Sequence, residues 1–282
     1  MNVFTTHTHK IAGKATSYQI VPFGDVHYDA PCFCKDTWKA FIKEAKALEG
    51  TVLFLGMGDY MDMASFKERK QLRDLHESTK QSLDDLIRVR LDEFLADIAF
   101  MKGRMLGFIG GNHEWEFSDG TNGTDYLAKE MGCRNLGWAT YIRITSSRSN
   151  TGIGSSHALD IFASHGKGAG KLIGTPYNTV EQMRRIFPSA SIYCMGHDHN
   201  RGALCDSVLT VSKSMAVQQQ RQWLCRTGSF LRGFVVDQPS YVVGKMLSPT
   251  DLGTVRFQVK GRRHTSASEN RDALVMDITC IN

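Results

Sequence analysis

Five times along the chain a short apolar run gives way, beside a glycine, to side chains that carry oxygen or nitrogen lone pairs. The five places are FGDVH (23–27), MGDYMD (57–62), GGNHE (110–114), SHG (164–166) and GHDH (196–199). An apolar run of four to eight residues bounded by turn residues reads as a strand buried on both faces. Strands of that kind alternating with helices form an α/β sheet, and ligands of such sheets collect beyond the carboxyl ends of the strands. One pattern therefore restricts the fold and locates the polar chemistry.

Between these points the periodicity supplies the other elements. SYQIVPFGD is a strand stopping at Gly24, and DTWKAFIKEAKALEG is a helix with Asp36 as N-cap candidate and Gly50 at its end. TVLFLGMGD is a second strand, the charged stretch from Phe66 to Lys102 is helical, and RMLGFIGGN is a third strand. ALDIFASHG and ASIYCMGHDH flank a helix around NTVEQMRRIF. After Gly202, the segments GALCDSVLTVSK, SFLRGFVVD, SYVVGKML and TVRFQVK read as further β-structure, whereas TSSRSNTGIGSSHA and KGRRHTSASENRD read as weakly structured. The expected organisation is a solvated N-terminal segment over 1–17 carrying His7 and His9, one α/β domain with two packed sheets over 18–255, and a basic tail over 256–282.

With 282 residues, 41% of them hydrophobic, the chain can bury a large core. Its N-terminus has no apolar signal region and no run approaches the roughly 20 residues that span a bilayer, so a cytoplasmic protein without membrane contact is expected. Seven cysteines at 32, 34, 133, 194, 205, 225 and 280 contain no C-x-x-C pair and do not suggest a disulfide framework. A formal charge of +5 is too small for a nucleic-acid coating protein, yet it suits an anionic substrate.

The donor types at the strand ends belong together chemically. Imidazole suits first-row divalent metals, carboxylate can bridge two cations, and an amide oxygen adds a neutral ligand. The spacings Asp25-x-His27 and His197-x-His199 direct both side chains to one face of an extended segment, with Val26 and Asp198 pointing away, and the preceding glycines permit tight turns. Singly, Asp25 reads equally well as a cap, Asn112 and His113 as loop closure, and His165 as a buried structural histidine. Five such strand ends in order point to a metal site.

The ordered set D-x-H, G-D-x-x-D, G-N-H-E, H and G-H-x-H, from Asp25 to His199, resembles the calcineurin-like metallophosphoesterase superfamily. The resemblance implies two packed mixed β-sheets flanked by helices, a four-layer α/β/β/α sandwich. It also implies two divalent ions; the mixed nitrogen and oxygen donors fit manganese, iron or zinc, with manganese expected for activity in vitro. Asp25, His27 and His199 would hold one ion, Asn112, His165 and His197 the other, and Asp59 would bridge them. His113 matches the histidine that reaches the scissile phosphate, as general acid or as a donor to the charged transition state, and Asp62 matches the acid that orients it. Paired cations can polarise phosphate oxygens and generate a metal-activated hydroxide for in-line attack.

One position departs from the pattern. Many phosphomonoesterases of the superfamily carry a phosphate-clamping arginine after the second aspartate of G-D-x-x-D, where this chain has Met63. The expectation is therefore a phosphodiesterase, with nucleic acid or a nucleotide diester as substrate. The alternatives are a phosphomonoesterase and a non-catalytic scaffold of the same fold. SHGKGAGK fails as an ATP loop because His165 and Leu172 occupy required glycine and Ser/Thr positions, but Lys167 is a candidate substrate-binding residue beside His165. The charged helix from Phe66 to Arg90 reads as a solvated face whose start, SFKERK, could overhang the site. No partner protein is identifiable.

Overall fold

Strands buried on both faces must divide their side chains between two cores, and the apolar runs do so residue by residue. The computed structural model describes residues 3–11, 17–63, 77–147, 156–168, 172, 174–211, 215–238, 240–244, 246–266 and 271–281. In chain order the strands are β1 (Phe4–Ile11), β2 (Ser17–Phe23), β3 (Val52–Gly56), β4 (Met105–Phe108), β5 (Ala139–Ser147), β6 (Ser156–Ser164), β7 (Ile192–Met195), β8 (Arg201–Val211), β9 (Val217–Thr227), β10 (Arg256–Ser266) and β11 (Arg271–Ile281). The helices are α1 (Lys35–Ala47), α2 (Glu77–Ile98), α3 (Gly123–Met131), α4 (Thr175–Ile186) and the single turn α5 (Tyr241–Gly244).

One sheet has the order β1-β5-β6-β7-β9-β8 and the other β11-β10-β2-β3-β4, both mixed. Ile20, Leu53, Leu55, Ile161, Ile192 and Cys194 meet in the layer between the sheets. Their alternate neighbours Val21, Phe23, Val52 and Phe54 face Trp38 of α1 and Phe94 of α2, while Phe162 and Tyr193 face Val180 and Met183 of α4. The result is two mixed sheets flanked by helices, as the fold expectation had it. Burying one such side chain stabilises the chain by about 1.5–3 kcal/mol.

Several local expectations are corrected. Residues 4–11, expected as solvated, form an edge strand parallel to β5, with His7 opposite Ile142 and His9 opposite Ile144. Threonine-rich alternation suits a half-buried edge even without an apolar run. The basic stretch after 255 is no loose tail: β10 pairs antiparallel with β2 and β11, and Phe257 and Val259 enter the core. Cys34, not Asp36, occupies the N-cap of α1, and Asp36 lies in its first turn. SFLRGFVVD makes only isolated bridges, Leu231 to Phe33 and Ser229 to Gly253, and SYVVGKML contributes the turn α5. Of TSSRSNTGIGSSHA, both ends belong to β5 and β6, and residues 148–155 lie outside the described residues. SFKERK also lies outside them.

Candidate metal centre

The loops leaving β2, β3, β4, β6 and β7 turn toward one another, and they do so through unusual backbone. Asp25 (φ 47°), His27 (48°), Asp59 (47°), His197 (72°) and His199 (61°) all lie in the left-handed region, which costs a non-glycine residue about 1–3 kcal/mol. The expectation that D-x-H and H-x-H share a face by strand pleating is thereby corrected: consecutive left-handed turns aim the side chains. Hydrogen bonds over-determine these turns. The amides of Asp25, Val26 and His27 donate to the carbonyls of Gly58 and Asp59, and the Asp25 carbonyl accepts from the Phe230 amide (3.1 Å) and Ser229 Oγ (2.8 Å).

The glycines also act differently from expectation. Of those directly preceding the donors, Gly24, Gly111 and Gly196 lack a positive φ, which Gly58 has at 98°. They provide room: a Cβ at Gly111 would stand 2.0 Å from Asp59 Oδ1, and one at Gly196 would stand 2.7 Å from Asp25 Oδ2.

Three donor groups result, one of them His27, Asp62 and His113, which shares His27 with another. In the first, one ligand atom each from Asp25, His27 and His199 lie within 4.8 Å of one another. The Nδ1–H of His27 donates to Asp62 Oδ1 at 2.9 Å, while its Nε2 is buried without a hydrogen-bond partner among the described residues. In the second, Asp59, His165 and His197 satisfy the same limit. His165 Nδ1–H donates to the Met57 carbonyl at 2.9 Å, which orients the ring and leaves Nε2 as the nitrogen that faces the other donors. That nitrogen lies 3.0 Å from Asn112 Oδ1, 3.2 Å from Asp59 Oδ2 and 3.2 Å from His197 Nδ1.

Lone pairs aimed at one another repel unless a cation or a shared proton stands between them. The titration directions express that demand. Burial disfavours charge on His165, but the carboxylates of Asp59 and Asp25 outweigh it and raise its pKa to about 9. Burial likewise opposes charge on Asp59, yet the adjacent His165 holds its carboxyl well below the usual range. Burial pushes Asp25 up. Burial, then His165, lowers His197 to about 4, and burial, then His27, puts His199 well below the ordinary value. Neutral His197 and His199 with an orphaned His27 Nε2 form a donor set that fits divalent cations.

His113 belongs only to the group with His27 and Asp62. Its amide donates to Asp59 Oδ1 at 2.9 Å, and its side chain keeps 23% of its surface exposed. Asp62 Oδ1 lies 3.3 Å from His113 Nδ1, farther than from His27, so Asp62 serves both histidines rather than His113 alone. Lys167 is exposed on the loop after His165, where Gly168 runs past His197. Met63 is buried in the core beneath the helices. His7 and His9 stand on the edge strand, their rings 6.4 Å apart, outside the donor groups.

One contributor escaped sequence reasoning. Buried Arg226 bonds to Asp198 Oδ1 (2.9 Å) and to the Gly196 carbonyl (2.7 Å); a charge in the otherwise apolar end of its strand, WLCRTG, was the available signal. Glu114, half-buried behind the G-N-H-E turn, accepts from Thr124 Oγ1, and its carboxyl is pushed up by loss of solvent. No helix among the described residues is long and apolar enough to cross a membrane.

No family model matches the chain, and no curated protein matches it. Among solved structures it is similar to the crystal structure of a 5′-nucleotidase precursor from Thermus thermophilus, at 9% identity and a TM-score of 0.40. The match covers 94% of this chain and 54% of that one, so the chain spans about half of that protein's length.

Proposed function

We propose that the chain is a metal-dependent phosphoesterase of the calcineurin-like type, with phosphodiesters as its substrates. The observation that carries this reading is the convergence of ligand-type atoms on two adjacent points, one at His27 Nε2, which has no hydrogen-bond partner among the described residues, and one at His165 Nε2, which meets Asn112 Oδ1 and Asp59 Oδ2. Asp25, His27 and His199 would hold one divalent ion, Asn112, His165 and His197 the other, and Asp59 would bridge. Bound there, the pair would supply Lewis-acid polarisation of phosphate oxygens and activation of water at neutral pH. Manganese is the first choice, with iron or zinc as alternatives.

The chain's own residues supply orientation and proton transfer. His113 is partly exposed, and its Nδ1 side is engaged by Asp62, so Nε2 is the atom left to meet a leaving oxygen. A positioned histidine contributes roughly 10²–10⁴ in rate. The diester preference rests on Met63, whose side chain packs into the core where a phosphate-clamping arginine would have to face the site. Nucleic acid or a small nucleotide diester is the proposed substrate class, and Lys167 the proposed contact at the entrance.

The test is elemental analysis of the full chain, followed by turnover of bis-p-nitrophenyl phosphate, p-nitrophenyl phosphate and single- and double-stranded DNA with Mn²⁺. Two ions per chain with diester turnover is the expected result. Monoester turnover alone would favour a phosphomonoesterase, and metal binding without any turnover would favour a scaffold.

A further inference from the structure

The geometry points to Arg226 as the positioning residue that holds two of the donor groups in register, through the loop that carries His197 and His199. The inference rests on the metal-site reading above. The two histidines belong to different groups, His199 with Asp25 and His27, His197 with Asp59 and His165. The three residues from 197 to 199 therefore link the two proposed ion positions, and whatever fixes that loop fixes their relation.

The loop does not hold its own shape by local preference, since both histidines are left-handed. Arg226 grips it at two points. Its Nη2 donates to the Gly196 carbonyl at 2.7 Å, before the first histidine, and its Nε and Nη2 donate to the Asp198 carboxylate, between the two. Asp198 in turn closes the loop on both sides: its amide donates to the Gly196 carbonyl at 2.9 Å, and its Oδ1 accepts from the Asn200 amide at 3.1 Å. The end of β9 and the residue after it fasten the flanks, with Thr227 Oγ1 on the Met195 carbonyl and the Gly228 amide on the Asn200 carbonyl.

As a device for stability alone this pair is poorly built. Both side chains are almost fully buried, 0% and 7% exposed, and Arg226 Nη1 and Asp198 Oδ2 have no hydrogen-bond partner among the described residues. Buried ion pairs with incomplete hydrogen bonding can often be replaced by apolar residues without loss of stability. What apolar residues cannot do is hold the Gly196 carbonyl and the Asp198 side chain at fixed positions. The function left for the pair is orientation of His197 and His199, in the way that outer hydrogen-bond partners orient metal-binding histidines.

The experiment titrates metal-free full-length chain with Mn²⁺ by calorimetry, alongside thermal unfolding without metal, for the parent, Arg226→Met, Arg226→Lys, Asp198→Asn and the double variant Arg226→Met/Asp198→Leu. Asn112→Ala serves as a control expected to weaken one binding step only. Arg226→Met should weaken both steps by about 10- to 100-fold, and Arg226→Lys by less, because one donor survives. The double variant should recover the Tm lost by Arg226→Met while its Mn²⁺ affinity stays low. Unchanged affinities, weakening of one step alone, or affinity that recovers together with Tm in the double variant would each overturn the proposal. A parent chain that takes up no Mn²⁺ would instead overturn the site reading beneath it.

Discussion

His165 Nε2 lies 3.2 Å from Asp59 Oδ2, with both side chains essentially fully buried. A proton shared there is what a metal ion would have to displace, so the pair makes metal binding depend on pH. The His165 pKa is raised to about 9, above its ordinary 6.5. In the metal-free chain its contribution to stability is fully present below pH 6.5 and is lost as pH rises through 9. Metal affinity runs the opposite way and should climb from pH 7 toward 9. Calorimetric Mn²⁺ titration at pH 7.5 in two buffers of different ionisation enthalpy should detect release of about one proton or more. No release would show that His165 is not a ligand.

Asp59→Asn should lower metal content and turnover together, because Asp59 touches His165 and its charge also acts on His27 and His199 of the other group. His7→Ala and His9→Ala should change neither, since those residues sit on the edge strand away from the donors. Elemental analysis decides. Two ions per chain in Asp59→Asn would sink the bridging role.

His113→Ala should retain both ions and lose roughly two to four orders of magnitude in kcat on a diester with a poor leaving group. With p-nitrophenolate, which leaves without a proton, the loss should be smaller. Equal losses on both substrates would mean that His113 stabilises phosphate charge without donating a proton. Asp62→Asn should behave differently from a mild copy of this variant: its carboxylate also holds His27 at 2.9 Å, so Mn²⁺ affinity should fall as well.

Met63→Arg should not create a monoesterase. The side chain at 63 is packed among apolar residues, and an unpaired buried charge there should cost about 3–5 kcal/mol, read as a large drop in Tm. In the parent, kcat/KM should favour bis-p-nitrophenyl phosphate over p-nitrophenyl phosphate. A monoester advantage of tenfold, about 1.4 kcal/mol, would contradict the diester proposal.

The local record in the sequence was sufficient for the strands buried on both faces and for the polar residues at their ends, because each is written within a few consecutive residues. Leu53, Leu55, Ile192 and Cys194 could be read as core, and Asp25, His27, Asp59, Asn112, His165, His197 and His199 as one set, before any coordinates. Pairings between distant residues were not written locally. His7 and His9 became strand residues because β5 lies beside them, and the basic segment after 255 became β10 because β2 offered an unpaired edge. Asp62 was shared with His27 because two loops 35 residues apart met. The left-handed turns at five donors, and the reach of Arg226 to a loop 28 residues earlier, are likewise decisions of the assembled structure. A strained backbone and a buried charge persist only where contacts from elsewhere in the chain hold them, and no short window of sequence contains those contacts.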